Sequence, residues 1–329
     1  MPALNNLQIQ KMSEVLRTLK FKSSFYERPF ISERMQAEEK LRMYFFSVGI
    51  CHQTYALAHP SLNLYGWDYL EYGFLNMIRQ SPELLVPDFI HVSDFEKLKG
   101  SLSGFFTPAE MECTLDRLDE RVRLMKDMAA VLVDQYESSL GKLLSSTTHE
   151  QGVSVVELYS VLQKFEAYSD PLNKKSSFFI KLAVDAGLIR LQDPENLVPV
   201  MDYHMQRVLL RTGCVEIMDD TLAQSLRLRL PMTSDSIIRE ICVNASALIA
   251  RKAGLNVLQM NDVLYLAGRS CCHEQTLCRS GSCEKTPCSL TRAVELDNHT
   301  ACIFNDFCKA ATDMEYHKFW QPVVETHYY

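Results

Sequence analysis

Apolar side chains recur at helical spacing over most of this chain, and strand-like alternation is scarce. Residues 8 to 57 carry Met35, Leu41, Phe45, Val48 and Ile50 in such an arrangement, which predicts helices there. Pro60 to Gly66 reads as a turn, and Gly66-Trp67-Asp68-Tyr69-Leu70 opens a further helix through Phe74, Leu75 and Ile78. In Thr107-Pro108-Ala109-Glu110 a capping threonine precedes a proline in the first turn and Glu110 completes a capping box. A helix is expected from there to Tyr136. Val153 to Phe165 predicts a short helix, Asp170-Pro171-Leu172-Asn173 a turn, and Phe178 to Leu188 another helix. After a loop with Pro194 and Pro199, Asp202 to Arg211 reads as a helix stopped by Gly213. Thr233 or Ser234 caps a long amphipathic helix through Ile237, Ile238, Ile241, Leu248 and Ile249, which ends near Gly254. No internal repeat or low-complexity tract interrupts the pattern. The expected class is all-α, with a boundary where Ser, Thr and Gly cluster between residues 138 and 152.

Composition agrees with a globular chain. Of 329 residues, 47% are hydrophobic and 23% charged, enough for one large core or two lobes. No N-terminal segment has the order of a signal peptide, and the apolar runs around Val48 and Leu248 are too short to span a bilayer. A soluble cytoplasmic protein is expected, nuclear in a eukaryote, with no membrane contact and no obligate protein partner implied. The net charge of -7 denies the molecule an overall positive field, so contact with nucleic acid must use a local patch.

Cysteine usage changes the picture. Of 11 cysteines, Cys51, Cys113, Cys214 and Cys242 stand singly in apolar sequence and read as small core residues, whereas the other seven crowd into residues 271 to 308. Within a reducing compartment such crowding argues for a metal rather than a disulfide framework. Taking Cys272 as the first ligand, five, four and four residues separate it from Cys278, Cys283 and Cys288 in turn. Loops that short bring four thiolates to one point. An iron–sulfur cluster and a structural zinc ion both accept this donor set. Cys271 competes with Cys272 for the first place, and Cys302 and Cys308 remain as substitutes.

The approach to these cysteines, Leu264-Tyr265-Leu266-Ala267-Gly268-Arg269, resembles the end of the core in endonuclease III and its relatives, the helix-hairpin-helix DNA glycosylases. There an apolar helix ends in Gly-Arg and enters a 4Fe-4S loop. The cysteine spacing differs from that family's, and Cys271 restores only its first gap. Upstream, Val198-Pro199-Val200-Met201-Asp202-Tyr203-His204-Met205-Gln206-Arg207-Val208, followed by Arg211 and Gly213, is similar to the glycosylase signature around the catalytic aspartate. The resemblance implies a 4Fe-4S cluster on Cys272, Cys278, Cys283 and Cys288, with zinc the alternative, and Asp202 as the essential carboxylate. The charge chemistry suits that role. At a helix start the dipole favours the ionised form, and an anion there stabilises the cationic sugar that develops as an N-glycosidic bond breaks. By order along the chain, Asn173-Lys174-Lys175 falls where lyase members carry a nucleophilic lysine, which makes Lys175 a second catalytic candidate. The hairpin glycines are missing from Asp170-Pro171-Leu172-Asn173, so hydrolysis rather than lyase chemistry is expected.

A second resemblance covers more of the chain. Gly-Trp-Asp-Tyr-Leu at 66 to 70, Tyr168-Ser169-Asp170 before a lysine-led helix, Asp185, Asp202-Tyr203 and the closing Tyr328-Tyr329 look like the queuosine salvage proteins. These are N-glycosidases that release a modified base from a free nucleotide, and Asp185 and Asp202 match their two substrate aspartates. The arginine they carry after Asp-Tyr is His204 here. Trp67 is suited to stacking on an excised base and Asp68 to bonding its edge. Together these readings give an N-terminal helical region over 1–149, a glycosylase-like core over 150–267 and a cysteine module over 268–329. Asp202 and Lys175 are the catalytic candidates, with Trp67, Asp68, Asp185, Tyr203 and His204 facing substrate. The expected substrate is a modified or damaged base in DNA, then one in a free nucleotide. A non-catalytic binding module that retains the fold is the third reading.

Overall fold

The computed structural model describes residues 1–109, 111–296 and 299–329. Helix dominates, as the spacing of apolar residues predicts. Eighteen α-helices and six strands of two or three residues occur among the described residues. The strands form antiparallel pairs only, Pro2–Leu4 with Val215–Ile217, Ala58–His59 with Leu64–Tyr65, and Thr148–His149 with Gly152–Val153. No single helix among the described residues is long and apolar enough to cross a membrane.

Two compact units divide the chain. One comprises Met1–Glu27 with Val198–Glu325, the other Arg28–Leu197 with Thr326–Tyr329. In the first, Asn5 caps the helix Asn6–Arg17 by accepting from the Leu7 and Gln8 amides. Ile9, Met12 and Leu16 then share one face and are wholly buried in a core with Cys242, Ala245 and Ile249 of the helix Ser236–Ala253. A second close pair is formed by Tyr203–Thr212 and Val257–Ser270. Their backbones approach so closely at Gly268 that an added Cβ would stand 2.6 Å from the His204 carbonyl oxygen, so glycine is required there.

The second unit is built round the helix Ala37–Gly49, whose Met43, Tyr44, Phe45, Phe46 and Val48 are all inaccessible. Phe45 stacks on Tyr168 at 5.0 Å and meets Phe165 and Phe179 edge-on, and the Tyr168 hydroxyl donates to the Phe45 carbonyl at 2.7 Å. The last residues belong here. Tyr329 is buried, and its carbonyl accepts from the Gln53 amide at 3.1 Å.

Three boundaries differ from expectation. The helix expected from Thr107 starts at Leu118, and the Thr107 hydroxyl donates back to Ser103 at the end of the helix Phe95–Gly104. The intervening chain is held in an irregular course because Thr114 exchanges hydrogen bonds with Ala58 and the buried Arg121 gathers the Asp116 and His52 carbonyls. Glu110, the other half of the expected capping box, lies outside the described residues. The helix expected from Phe178 begins at Lys174, because the Asp170 carboxylate accepts from the Lys174 amide and starts it a turn earlier. Asp235, rather than Thr233 or Ser234, occupies the cap position of Ser236–Ala253.

Candidate metal centre

The helix Val257–Ser270 delivers its C-terminus to the cysteine-rich segment. Cys271 is its cap residue, and the Cys271 and Cys272 amides both donate to the Ala267 carbonyl as the helix closes. Past that point the described residues form only four-residue helices, Leu277–Ser280, Leu290–Ala293, Lys309–Thr312 and Met314–His317. Segments this short are not self-stabilising, so something else must fix them.

Cys271, Cys283, Cys288 and His299 converge, with their ligand atoms all within 4.8 Å of one another. The Cys271 sulfur lies 3.5 Å from that of Cys288 and 3.7 Å from that of Cys283. The His299 Nε2 stands 3.0 Å from Cys288, 3.1 Å from Cys283 and 3.5 Å from Cys271. These four residues are therefore close enough to bind one metal ion. Among the thiols, Cys283 donates toward Cys271, and either of Cys271 and Cys288 can donate to the other. Hydrogen bonds with Cys271 and Cys283 lower the Cys288 thiol, and hydrogen bonds with Cys283 and Cys288 push Cys271 up. The set thus already favours a thiolate, the species that ligates a metal.

This is not the expected quartet. Cys283 and Cys288 belong to it, but Cys271 stands where Cys272 was expected and His299 where Cys278 was. Cys272 is drawn the other way by two arginines of the helix Tyr203–Thr212. Arg207 donates to the Cys272 carbonyl at 2.7 Å, while Arg211 reaches the Cys272 sulfur at 3.5 Å and the His273 carbonyl at 2.9 Å. Both guanidiniums also lie over the Trp320 ring, at 4.6 and 5.4 Å from its centroid. His299 carried a signal in the sequence, as a histidine eleven residues beyond Cys288 in a cysteine-rich loop. A Cys₃His set is a standard zinc donor group.

Asp202 caps the helix Tyr203–Thr212, its Oδ1 accepting from the Met205 amide at 3.1 Å and its Oδ2 lying 3.0 Å from the His204 Nδ1. All three of Asp202, Tyr203 and His204 are largely buried, and the His204 ring packs on Tyr203 and edge-on to Tyr265. Burial lowers the His204 imidazolium to about 4, so the ring beside the carboxylate is neutral at ordinary pH.

Trp67, Asp68, Lys175 and Asp185 belong to the other unit. Trp67 donates to Glu71 at 2.6 Å and packs against Phe30 and Phe178. Asp185 pairs with Lys181 at 2.7 Å. Lys175 is wholly buried and donates to the Gly49 carbonyl, and desolvation lowers its ammonium to about 7. No protein-family model matches the chain, and no curated protein matches it either.

Proposed function

We propose that the chain hydrolyses the N-glycosidic bond of a modified base, with Asp202 as its working carboxylate, and that one zinc ion on Cys271, Cys283, Cys288 and His299 holds its C-terminal segment. The observation that carries the first part is the carboxylate at the start of the helix Tyr203–Thr212. It is held by a backbone amide and a neutral imidazole rather than neutralised by the nearby His204. As the bond from sugar to base breaks, positive charge grows on the sugar and Asp202 stabilises it. Water then adds to the sugar carbon, its proton passes to a base such as this carboxylate, and the departing nitrogen takes up a proton. The net charge of -7 favours a free nucleotide over duplex DNA.

Zinc is favoured over a 4Fe-4S cluster at the four-residue set by donor spacing. Ligands around one tetrahedral zinc stand about 3.8 Å apart for sulfur pairs and about 3.6 Å for sulfur and nitrogen. The sulfurs here are 3.5 and 3.7 Å apart. A cluster places a separate iron behind each thiolate and needs its ligands further apart.

Incubating the protein with free modified nucleotides and with lesion-bearing oligonucleotides, and detecting freed base by mass spectrometry, tests the activity. Release by wild type and not by Asp202→Asn is expected. Release by neither, from either substrate set, would leave a binding module as the better reading.

A further inference from the structure

The tight set uses three of the seven crowded cysteines, and the other four are not scattered. Cys272, Cys278, Cys302 and Cys308 line one small cavity, with Val208 and Phe304 also in its wall. Cys271 also touches it, but the Cys271 sulfur is engaged with Cys283, Cys288 and His299. The four come as two pairs of one spacing, with five residues between Cys272 and Cys278 and five between Cys302 and Cys308. Their backbone settings also match. Cys278 lies in the helix Leu277–Ser280, and Cys308 caps Lys309–Thr312, so each pair ends on a short helix beside the cavity.

Three further observations bear on what such a cavity would hold. No three of these sulfurs are drawn as close together as the donors of the tight set, the one such group among the described residues. They surround a space instead of meeting at a point, and a single tetrahedral ion would bring them to about 3.8 Å. A positive group also faces the sulfurs. Arg211 points a guanidinium N–H at Cys272, 3.5 Å away, while the Cys308 thiol lies 3.6 Å from the Arg211 carbonyl. Finally, His317, also in the cavity wall, is engaged, its Nε2 lying 3.0 Å from the Thr276 hydroxyl, to which the Cys278 thiol also donates at 3.4 Å. Cysteine is thus the commonest potential ligand in the wall. Cysteine thiols crowding an apolar cavity would be idle groups in a core, whereas four thiolates set round it and not drawn to one point suit a cluster of irons bridged by sulfide.

We infer that the protein carries a second metal centre, an iron–sulfur cluster held by Cys272, Cys278, Cys302 and Cys308, beside the mononuclear site and independent of the proposed activity. Each thiol loses its proton as it binds iron, and the Arg211 N–H to the Cys272 sulfur offsets the resulting negative charge. Because Cys271 and Cys272 are adjacent, the two centres share one turn of chain.

Full-length protein purified without oxygen is assayed for zinc, iron and acid-labile sulfide, and its visible absorption is recorded. Iron and sulfide in equal amounts beside one zinc are expected. Cys302→Ser and Cys308→Ser should lose iron, sulfide and the visible absorption while keeping zinc, and Cys283→Ser should do the reverse. If wild type takes up no iron even after reconstitution with ferrous iron and sulfide, or holds two zinc ions instead, the cluster is excluded. Retention of full iron by both Cys302→Ser and Cys308→Ser also excludes it. Should either variant prove insoluble, the wild-type ratio of iron and sulfide to zinc still decides.

Discussion

The helix Ala37–Gly49 is buried along most of its length, whereas the segment from Cys271 to Cys308 leaves much of its chain exposed, and the two are held by opposite means. Round the helix, rings do the work, since Phe45, Phe165, Tyr168 and Phe179 pack into one aromatic cluster. Among the described residues the cysteine segment has no helix longer than four residues, and it offers thiols, an imidazole and two arginine anchors instead. The contrast teaches where each kind of cohesion is needed. A long amphipathic helix can bury its own face, whereas a run of tight turns has too little apolar area and requires ligand bonds.

The largest effect should come from removing one thiolate of the proposed zinc site. Cys283→Ser is expected to lose zinc and the protection from hydrogen exchange of the amides around Cys283 and Cys288, because metal binding to such sites contributes on the order of 10 kcal/mol of folding free energy. Amides of Ala37–Gly49 should keep theirs, and Cys113→Ser should behave as wild type. Equal exchange in both regions would break the comparison.

The converse substitution is Phe45→Ala. It deletes the centre of the aromatic cluster and should cost roughly 3–5 kcal/mol in denaturant unfolding. Zinc content per folded chain should stay unchanged, and a parallel fall in zinc would show that the two regions are not separately held.

Asp202→Asn comes next. Asparagine caps about as well as aspartate, so stability should move by roughly 1 kcal/mol or less. Base release should slow by at least roughly a hundredfold, because the negative charge opposite the developing sugar cation is gone. A wild-type rate would reduce Asp202 to a helix cap and turn attention to Asp185.

The last effect concerns a buried amine in the aromatic region. Burial lowers Lys175 to about 7, whereas an unfolded lysine titrates near about 10.4. Above the upper value the amine is neutral in both states. Between the two only the unfolded chain binds the proton, so stability falls as pH falls through this window, by at most about 1.4 kcal/mol per pH unit, and levels off below it. Lys175→Met should flatten that part of the profile of denaturant midpoint against pH, and an unaltered profile would mean that Lys175 is not held neutral.

Much of this was legible along the chain. Helical spacing named most of the helices, Gly213 and Gly254 marked two ends where the backbone is left-handed, and Asp202 stood at its cap. The crowding of seven cysteines announced a metal region. Other features were not legible, because they depend on partners far away in sequence. The start at Leu118 follows from Thr114 bonding Ala58 and from Arg121 reaching His52, contacts that local propensity does not encode.

The sequence by itself determined a helical protein with a thiol-rich end, since periodicity and residue type are local properties. Only the tertiary structure decided which thiols meet. Cys271 and Cys272 are chemically identical neighbours, and spacing treats either as the first ligand. Arg207 and Arg211, more than sixty residues upstream, hold the Cys272 carbonyl and sulfur, leaving Cys271 to join Cys283, Cys288 and His299. Which side chains converge is therefore fixed by hydrogen bonds between distant segments, which no interval between cysteines contains.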